Sequence, residues 1–257
     1  MLFVISDIHS YYEPMMLALK EKDFFKNDQN KLLVLGDALD RGPDAKKITD
    51  FLLSLNNEGR LIYVRGNHEN LFVECVQEIE DGGIFELVCG MSHHCRNGTL
   101  STLLQIAEMN ENEALECPYE LIERIKQSDY YNVLLPSCVN FYENEKYIFA
   151  HGFIPIIRDV KDNVILYRYD HEWRNADSAV WREAVWLNGI DMACKYHITE
   201  QNKTIVVGHI HTSYAHQQYG DRNIKKESLI FFANGFMAID ACTPKSGLVN
   251  CLVLSDL

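Results

Sequence analysis

Residues 31–42 read Lys31-Leu32-Leu33-Val34-Leu35-Gly36-Asp37-Ala38-Leu39-Asp40-Arg41-Gly42. An apolar run stops at a glycine and gives way to two carboxylates and an arginine. A short continuous apolar run closed by glycine reads as a buried strand, and polar residues just past it sit on the loop at its carboxyl end. The same layout recurs through the chain. Residues 1–6 lead into Asp7-Ile8-His9, and 61–64 into Arg65-Gly66-Asn67-His68-Glu69. Residues 146–150 lead into His151-Gly152, and 204–207 into Gly208-His209-Ile210-His211. Between the first three runs lie segments of helical spacing. Residues 13–26 carry Met16, Leu17, Leu19, Phe24 and Phe25, and residues 44–57 carry Ile48, Phe51, Leu52 and Leu55 on one face. A β-α-β-α-β order predicts an α/β sheet.

Outward from this frame, residues 69–135 read mostly as helix and loop, a candidate cap or insertion over the sheet. Residues 177–196 read as helical and carry Trp181, Trp186 and Tyr196. Residues 228–254 read as short strands joined by Gly and Pro turns. No repeat, low-complexity tract or linker divides the chain, so the expectation is a single domain over 1–257. Hydrophobic residues make up 47% and charged residues 24%, as in ordinary globular domains. No apolar run approaches the roughly 18 residues of a membrane span. The first residues carry no basic stretch and meet Asp7 early, which predicts a core strand, a cytoplasmic protein and no membrane partner. The eight cysteines form no C-x-x-C pair and read as reduced, small hydrophobes. A formal net charge of −13 argues against general nucleic-acid binding, whose phosphates need Lys and Arg partners.

Ligands collect beyond the carboxyl ends of strands in α/β sheets, so five such loops can converge on one centre. Asp, His and Asn together supply oxygen and imidazole donors, a mixture that suits Mn²⁺, Fe or Zn²⁺ better than Ca²⁺. So many donors exceed one tetrahedral site and fit two metals roughly 3.5–4 Å apart, with Asp37 as the bridging carboxylate. Each motif alone is weak, since D-x-H arises by chance and an isolated Asp-Arg-Gly is commonly a solvated turn. Their order, each behind an apolar run, gives the pattern its weight.

These blocks resemble the calcineurin-like metallophosphoesterases. Within that superfamily they are most similar to the phosphoprotein phosphatase branch, which includes bacterial and phage Ser/Thr phosphatases. The resemblance rests on Asp7-Ile8-His9, Gly36 to Gly42, Gly66 to Glu69, His151-Gly152 and Gly208-His209. Softer likenesses are Asn97-Gly98-Thr99 with Thr102, and Phe236 to Asp240. It departs at Ser6 and Ser10, where the branch has glycine, at Phe153, at Ala241-Cys242, and in the Gly-His-x-His ending typical of other members.

The resemblance implies a four-layer αββα sandwich with a helical insertion, and two divalent metal ions. It implies Asp7 and His9 on the first metal, Asp37 between both, and Asn67, His151 and His209 on the second. His211 would complete the first. It implies attack by a hydroxide bridging the metals, with no phosphoenzyme. Arg41 would fork two phosphate oxygens, a geometry Lys does not match. His68 would protonate the leaving oxygen, oriented by Asp40. Asn67 and His68 would also line the substrate site. A second phosphate arginine is expected among Arg168, Arg174 and Arg182, with Arg182 favoured because it follows Trp181 in a segment that resembles the family's Trp-containing helix. His93-His94 reads as a surface or cap pair, and the acidic stretch from Glu108 to Glu123 as a solvated helical face. The leading activity is a phosphomonoesterase of the Ser/Thr phosphatase kind. The alternatives are a dinucleoside polyphosphate hydrolase such as a diadenosine tetraphosphatase, or a phosphodiesterase. The partner in each case is a phosphorylated substrate.

Overall fold

The computed structural model describes residues 1–90, 92–161, 164–220 and 228–255. Its centre is a pair of facing sheets. The first has the order β11 (Leu252–Leu254), β1 (Leu2–Ile5), β2 (Lys31–Leu35), β3 (Leu61–Val64). The second has the order β4 (Tyr142–Glu143), β5 (Tyr147–Phe149), β8 (Thr204–Val207), β10 (Phe236–Ala238), β9 (Phe231–Ala233). β1, β2 and β3 are parallel, as are β5, β8 and β10; β11, β4 and β9 are antiparallel edges. The remaining strands, β6 (Ile156–Lys161) and β7 (Val164–Tyr169), form a separate hairpin that the pattern reading did not foresee.

The layering follows from the two-residue period of a strand. In β1, Leu2 and Val4 face the second sheet while Phe3 and Ile5 face helices; in β2, Leu33 and Leu35 point inward and Leu32 and Val34 outward. The second sheet does the same: Phe149 and Val206 meet the first sheet, and Ile148, Ile205 and Val207 point to the opposite side. Strands buried on both faces read as unbroken apolar runs, which is why these segments showed no polar alternation. The outer face of the first sheet is covered by α1 (Tyr12–Glu21), α2 (Ala45–Asn57), α3 (Asn67–Glu80) and the helices that follow. Those are α4 (Ile84–Val88), α5 (His93–Asn97), α6 (Thr99–Ala107), α7 (Glu111–Glu116), α8 (Pro118–Gln127) and α9 (Leu135–Ser137). Leu100, Leu103, Leu121 and Ile125 join the same hydrophobic cluster as Ile48 and Leu52, so this helical stretch forms the outer layer beside α2. The second sheet is covered by α10 (Ser178–Ala184), α11 (Gly189–Cys194) and α12 (Thr212–Tyr219), with Trp173, Trp181 and Ile190 in the contact. The short α13 (Thr243–Ser246) precedes β11. The architecture is the four-layer αββα sandwich.

Three details differ from expectation. In the first helix Met15, Ala18 and Leu19 form the buried stripe, whereas Leu17 and Phe25 are 53% and 44% exposed. The region 177–196 is two short helices, because Asn188 caps a new start with its side chain accepting from the Asp191 N–H at 3.1 Å. All eight cysteines are free; Cys75 and Cys251 are buried but Cys89 and Cys117 are exposed, so only part of the set behaves as core. No helix among the described residues is long and apolar enough to cross a membrane.

Phe149 is fully buried between the sheets, against a cluster holding Leu35, Val64 and Val206. Phe149→Ala is expected to cost about 3–5 kcal/mol, as a cavity at the one interface both sheets share. Urea unfolding of the two proteins checks this, and a loss under about 1 kcal/mol would show that the sheets can close the gap.

Candidate metal centre

Six parallel strands end on one side of the sandwich. β1 delivers Asp7 and His9, β2 delivers Asp37, Asp40 and Arg41, and β3 delivers Asn67 and His68. β5 delivers His151, β8 His209, and β10 Asp240. The loops are tightly bent: Asp7, His9, Ser10, Asp37, Asp40, Arg41, His209 and Cys242 all have φ between 51° and 74°. Left-handed backbone at residues with a Cβ stores strain and clusters where a function demands it. Neighbouring loops hold these turns. The His9 N–H donates to Asp37 O at 3.0 Å, Ser10 N–H to Ala38 O at 2.9 Å, and the Thr243 hydroxyl to Asp7 O at 2.8 Å. Glu69 ties two loops together. Its carboxylate accepts from the N–H groups of Asp37 (2.9 Å), Ala38 (3.1 Å) and Gly66 (2.7 Å), and from the Tyr63 hydroxyl at 2.6 Å.

Two donor groups form, and Asp37 belongs to both. His9, Asp37 and His68 offer ligand atoms within 4.8 Å of one another, and so do Asp37, His151 and His209. His9 Nε2 lies 3.9 Å from Asp37 Oδ2, and His151 Nε2 lies 3.2 Å from Asp37 Oδ1. Asn67 Oδ1 stands 3.0 Å from His151 Nε2. Backbone carbonyls set the tautomers: His9 Nδ1 meets Leu39 O at 3.2 Å and His151 Nδ1 meets Leu35 O at 2.7 Å, so both Nε2 atoms face the centre. This arrangement is the usual way a protein aims an imidazole at a metal.

The electrostatics fit a cation. Burial raises the Asp7 carboxyl to about 7, with His151 opposing and Asp37 adding to the rise. Burial also drives His9 well below the usual imidazole range and His209 to about 3, leaving both neutral as metal ligation requires. His151 runs the other way. Burial would lower it, but Asp37 and then Asp7 outweigh that and raise it to about 10. A proton on His151 Nε2 thus faces Asp37 Oδ1 and Asn67 Oδ1, two acceptors that call for positive charge at this point. A divalent cation supplies the same charge, so the residues present fit the group.

His68 is placed differently. Its Nδ1–H donates to Asp40 Oδ2 at 2.6 Å, and its Nε2 sits 3.2 Å from Arg41 Nη2. The guanidinium beside Nε2 disfavours a metal there; an Nη2–H at this distance uses Nε2 as its acceptor, so the nitrogen would take up a proton for a substrate only once Arg41 turns to phosphate oxygens. Burial lowers the His68 pKa, but Asp37 and the hydrogen-bonded Asp40 outweigh it and the net shift is upward. Asp40 is itself held: the Thr99 hydroxyl donates to Oδ2 at 2.7 Å, and the Asp40 N–H donates to the Thr102 hydroxyl at 3.0 Å.

Other expected residues lie further out. Asp7 is outside both donor groups, its Oδ2 taken up by the Ser6 hydroxyl and by the His209 N–H at 3.0 Å. His211 is also outside them. Its side chain is 38% exposed and its Nε2 is 3.9 Å from Asp240 Oδ2. Asp240 was not expected; it is buried, and its carboxyl is raised to about 8 by burial and then by Asp7. Arg182 is exposed on α10, in a groove lined by Arg158 and Trp186 rather than at the donor groups. Arg168 pairs with Asp159, and Arg174 with Glu143 and Glu200. In α5 of the helical stretch His93 is exposed, whereas His94 is buried with Nε2 3.3 Å from Glu78, and Glu74, His93 and His94 gather within 4.8 Å. The partners come from α3, remote in sequence. Glu69, Thr99 and Thr102 were missed as positioning groups, although the motif blocks contained all three.

Gly66 has no room for a side chain, because a Cβ there would lie 2.3 Å from Asp37 Oδ1. Gly66→Ala is therefore expected to keep the fold but weaken metal binding about 10–100-fold, the scale of disturbing a ligand's support. Titration with Mn²⁺ followed by calorimetry reads this, and wild-type affinity would count against Asp37 as a ligand.

Comparison with known proteins agrees with this geometry. The family model for calcineurin-like phosphoesterase matches residues 2–236. The symmetrical bis(5'-nucleosyl)-tetraphosphatase of Buchnera aphidicola subsp. Schizaphis graminum is 40% identical over 68 residues, 26% of this chain and 24% of that protein. The asymmetrical bis(5'-nucleosyl)-tetraphosphatase of Bacillus subtilis is 23% identical over 175 residues, 63% of this chain and 64% of that protein. The chain thus matches only about a quarter of the Buchnera protein's length. Among solved structures, a cold-active protein tyrosine phosphatase superposes with a TM-score of 0.53 at 15% identity, over 98% of this chain and 73% of that one, a likeness of fold alone. The match along nearly the whole sequence puts this chain in the calcineurin-like phosphoesterase family.

Proposed function

We propose that this chain hydrolyses dinucleoside polyphosphates at a centre of two divalent metal ions, with Mn²⁺ the preferred ion and Fe or Zn²⁺ the alternatives. The observation that carries the reading is Asp37, one carboxylate shared by two donor groups. Asp7, His9 and Asp37 would hold the first ion, and Asp37, Asn67, His151 and His209 the second. Bound there, the ions supply a nucleophilic water at neutral pH and counter-charge for phosphate oxygens. The names of the tetraphosphatase relatives turn the substrate from a phosphoprotein to a dinucleoside polyphosphate.

The protein's own groups do the rest. Arg41 offers a planar fork of donors to non-bridging phosphate oxygens. His68, charged and hydrogen-bonded through Nδ1 to Asp40, delivers the Nε2 proton to the leaving oxygen. Asp40 keeps the ring oriented and favours its cationic form, and Thr99 keeps Asp40 in place.

The test is a panel incubated with Mn²⁺-loaded protein: diadenosine tetraphosphate, a phosphoserine peptide, para-nitrophenyl phosphate and bis-para-nitrophenyl phosphate. The tetraphosphate is expected to give the highest kcat/KM, and product chromatography then tells central from asymmetric cleavage. Faster turnover of the phosphopeptide, or turnover of diesters only, would overturn the substrate choice.

A further inference from the structure

We propose that the groove between the β6–β7 hairpin and α10 is a nucleotide subsite, in which Trp186 stacks on a base and Arg158 and Arg182 hold phosphates remote from the cleaved bond. The inference rests on the substrate class proposed above and deepens it. Three observations carry it.

Trp186 is 48% exposed, whereas Trp173 and Trp181 are 0% and 3% exposed. A large indole left in water next to a catalytic centre is a candidate recognition surface, because every base has a π-face on which it can stack. The position is also telling. The Trp186 ring meets the His209 ring edge to face, with centroids 5.9 Å apart, so the groove adjoins the proposed second metal. A ligand phosphate at the centre and a base on Trp186 would belong to one molecule.

The groove has the size and charge for such a ligand. It encloses about 680 Å³, within the range of roughly 300–1,000 Å³ found for small-molecule sites. Arg158, on β6, and Arg182, on α10, both line it. Among the described residues neither arginine has a carboxylate partner, in which they resemble Arg41 at the centre and differ from Arg60, Arg124, Arg168 and Arg174, each paired with Glu or Asp. In a chain of net charge −13, two guanidinium groups without a carboxylate partner thus lie beside an exposed indole. That combination suits a polyphosphate chain joined to a base. Glu183, next to Arg182 on α10, also lines the groove and offsets part of the positive charge.

The experiment has an equilibrium arm and a kinetic arm, both with metal-loaded protein. Adding ADP is expected to quench the tryptophan emission, which comes from water only at Trp186, and Trp186→Phe should remove most of the quench. Arg158→Ala should raise KM for diadenosine tetraphosphate about tenfold, the scale of one lost charge-assisted contact, while para-nitrophenyl phosphate turnover stays unchanged. Arg158→Lys should recover part of the loss. Unchanged KM for the tetraphosphate in Arg158→Ala, or an equal rise for both substrates, overturns the subsite. So does quenching by a phosphoserine peptide but not by ADP. If the wild type fails to cleave the tetraphosphate, the proposed substrate falls, and the ADP titration still decides whether the groove takes a nucleotide.

Discussion

Asp37→Asn is expected to drop bound metal from about two equivalents per chain to below one, and kcat/KM by roughly 10³-fold or more. The residue is the only one common to the two donor groups, so its loss is felt at both positions. Burial alone would push the Asp37 carboxyl up, but His151, His68 and His9 around it prevail and hold it well below the ordinary carboxylate range. It is thus an anion in a pocket of imidazoles, and an amide cannot replace the charge. The fold should survive, because the N–H groups of Asp37 and Ala38 keep their bonds to Glu69 in the variant. Elemental analysis after loading and gel filtration reads the metal, and circular dichroism reads the fold. Retention of two equivalents at wild-type rate would remove the basis for a shared carboxylate.

The sequence revealed those parts of the molecule whose local chemistry and tertiary role coincide. β2, β3 and β8 were bounded correctly because each is an apolar run that is buried on both faces and stopped by a glycine or arginine. The β6–β7 hairpin was not seen. β6 contains Arg158, Asp159 and Lys161, lies outside both sheets, and so lacks the apolar signature of a core strand. The strand-end donors were legible because Asp and His after a buried run are unusual company. What binds them in place was not, since Glu69 acts through backbone groups some thirty residues away and Thr99 through Asp40. Arg182 shows how little neighbouring positions alone convey. Adjacency to Trp181 says little on a helix, where successive side chains point about 100° apart. Trp181 turns into the core and Arg182 turns out into the groove. The pairing of His94 with Glu78 likewise depends on helices meeting in space.

His68→Gln should separate the proton from the metals. The substitution removes a ring whose Nδ1 is bonded to Asp40 and whose Nε2 lies 3.8 Å from Asp37 Oδ2; it leaves His151 and His209 alone and costs His9 one edge-to-face ring contact, at 4.8 Å between centroids. Metal content is therefore expected to stay near wild type while turnover of an ester with a poor leaving group falls about 10²–10⁴-fold, the usual reach of general acid catalysis. The loss should shrink as the leaving group improves. An alkoxide departs badly without a proton, a nitrophenolate departs well, and a nucleoside di- or triphosphate lies near the good end because its charge is spread over phosphate oxygens. A series of aryl phosphates with graded leaving groups, alongside diadenosine tetraphosphate, tests this directly, since the variant's rates should depend more steeply on the leaving group than the wild type's. Asp40→Asn should follow the same trend more weakly, because the ring remains but loses the carboxylate that favours its cationic form. Equal losses across the series would make His68 a binding group rather than an acid. Loss of metal together with rate would place Nε2 on a cation, and the guanidinium of Arg41 beside that nitrogen argues against it.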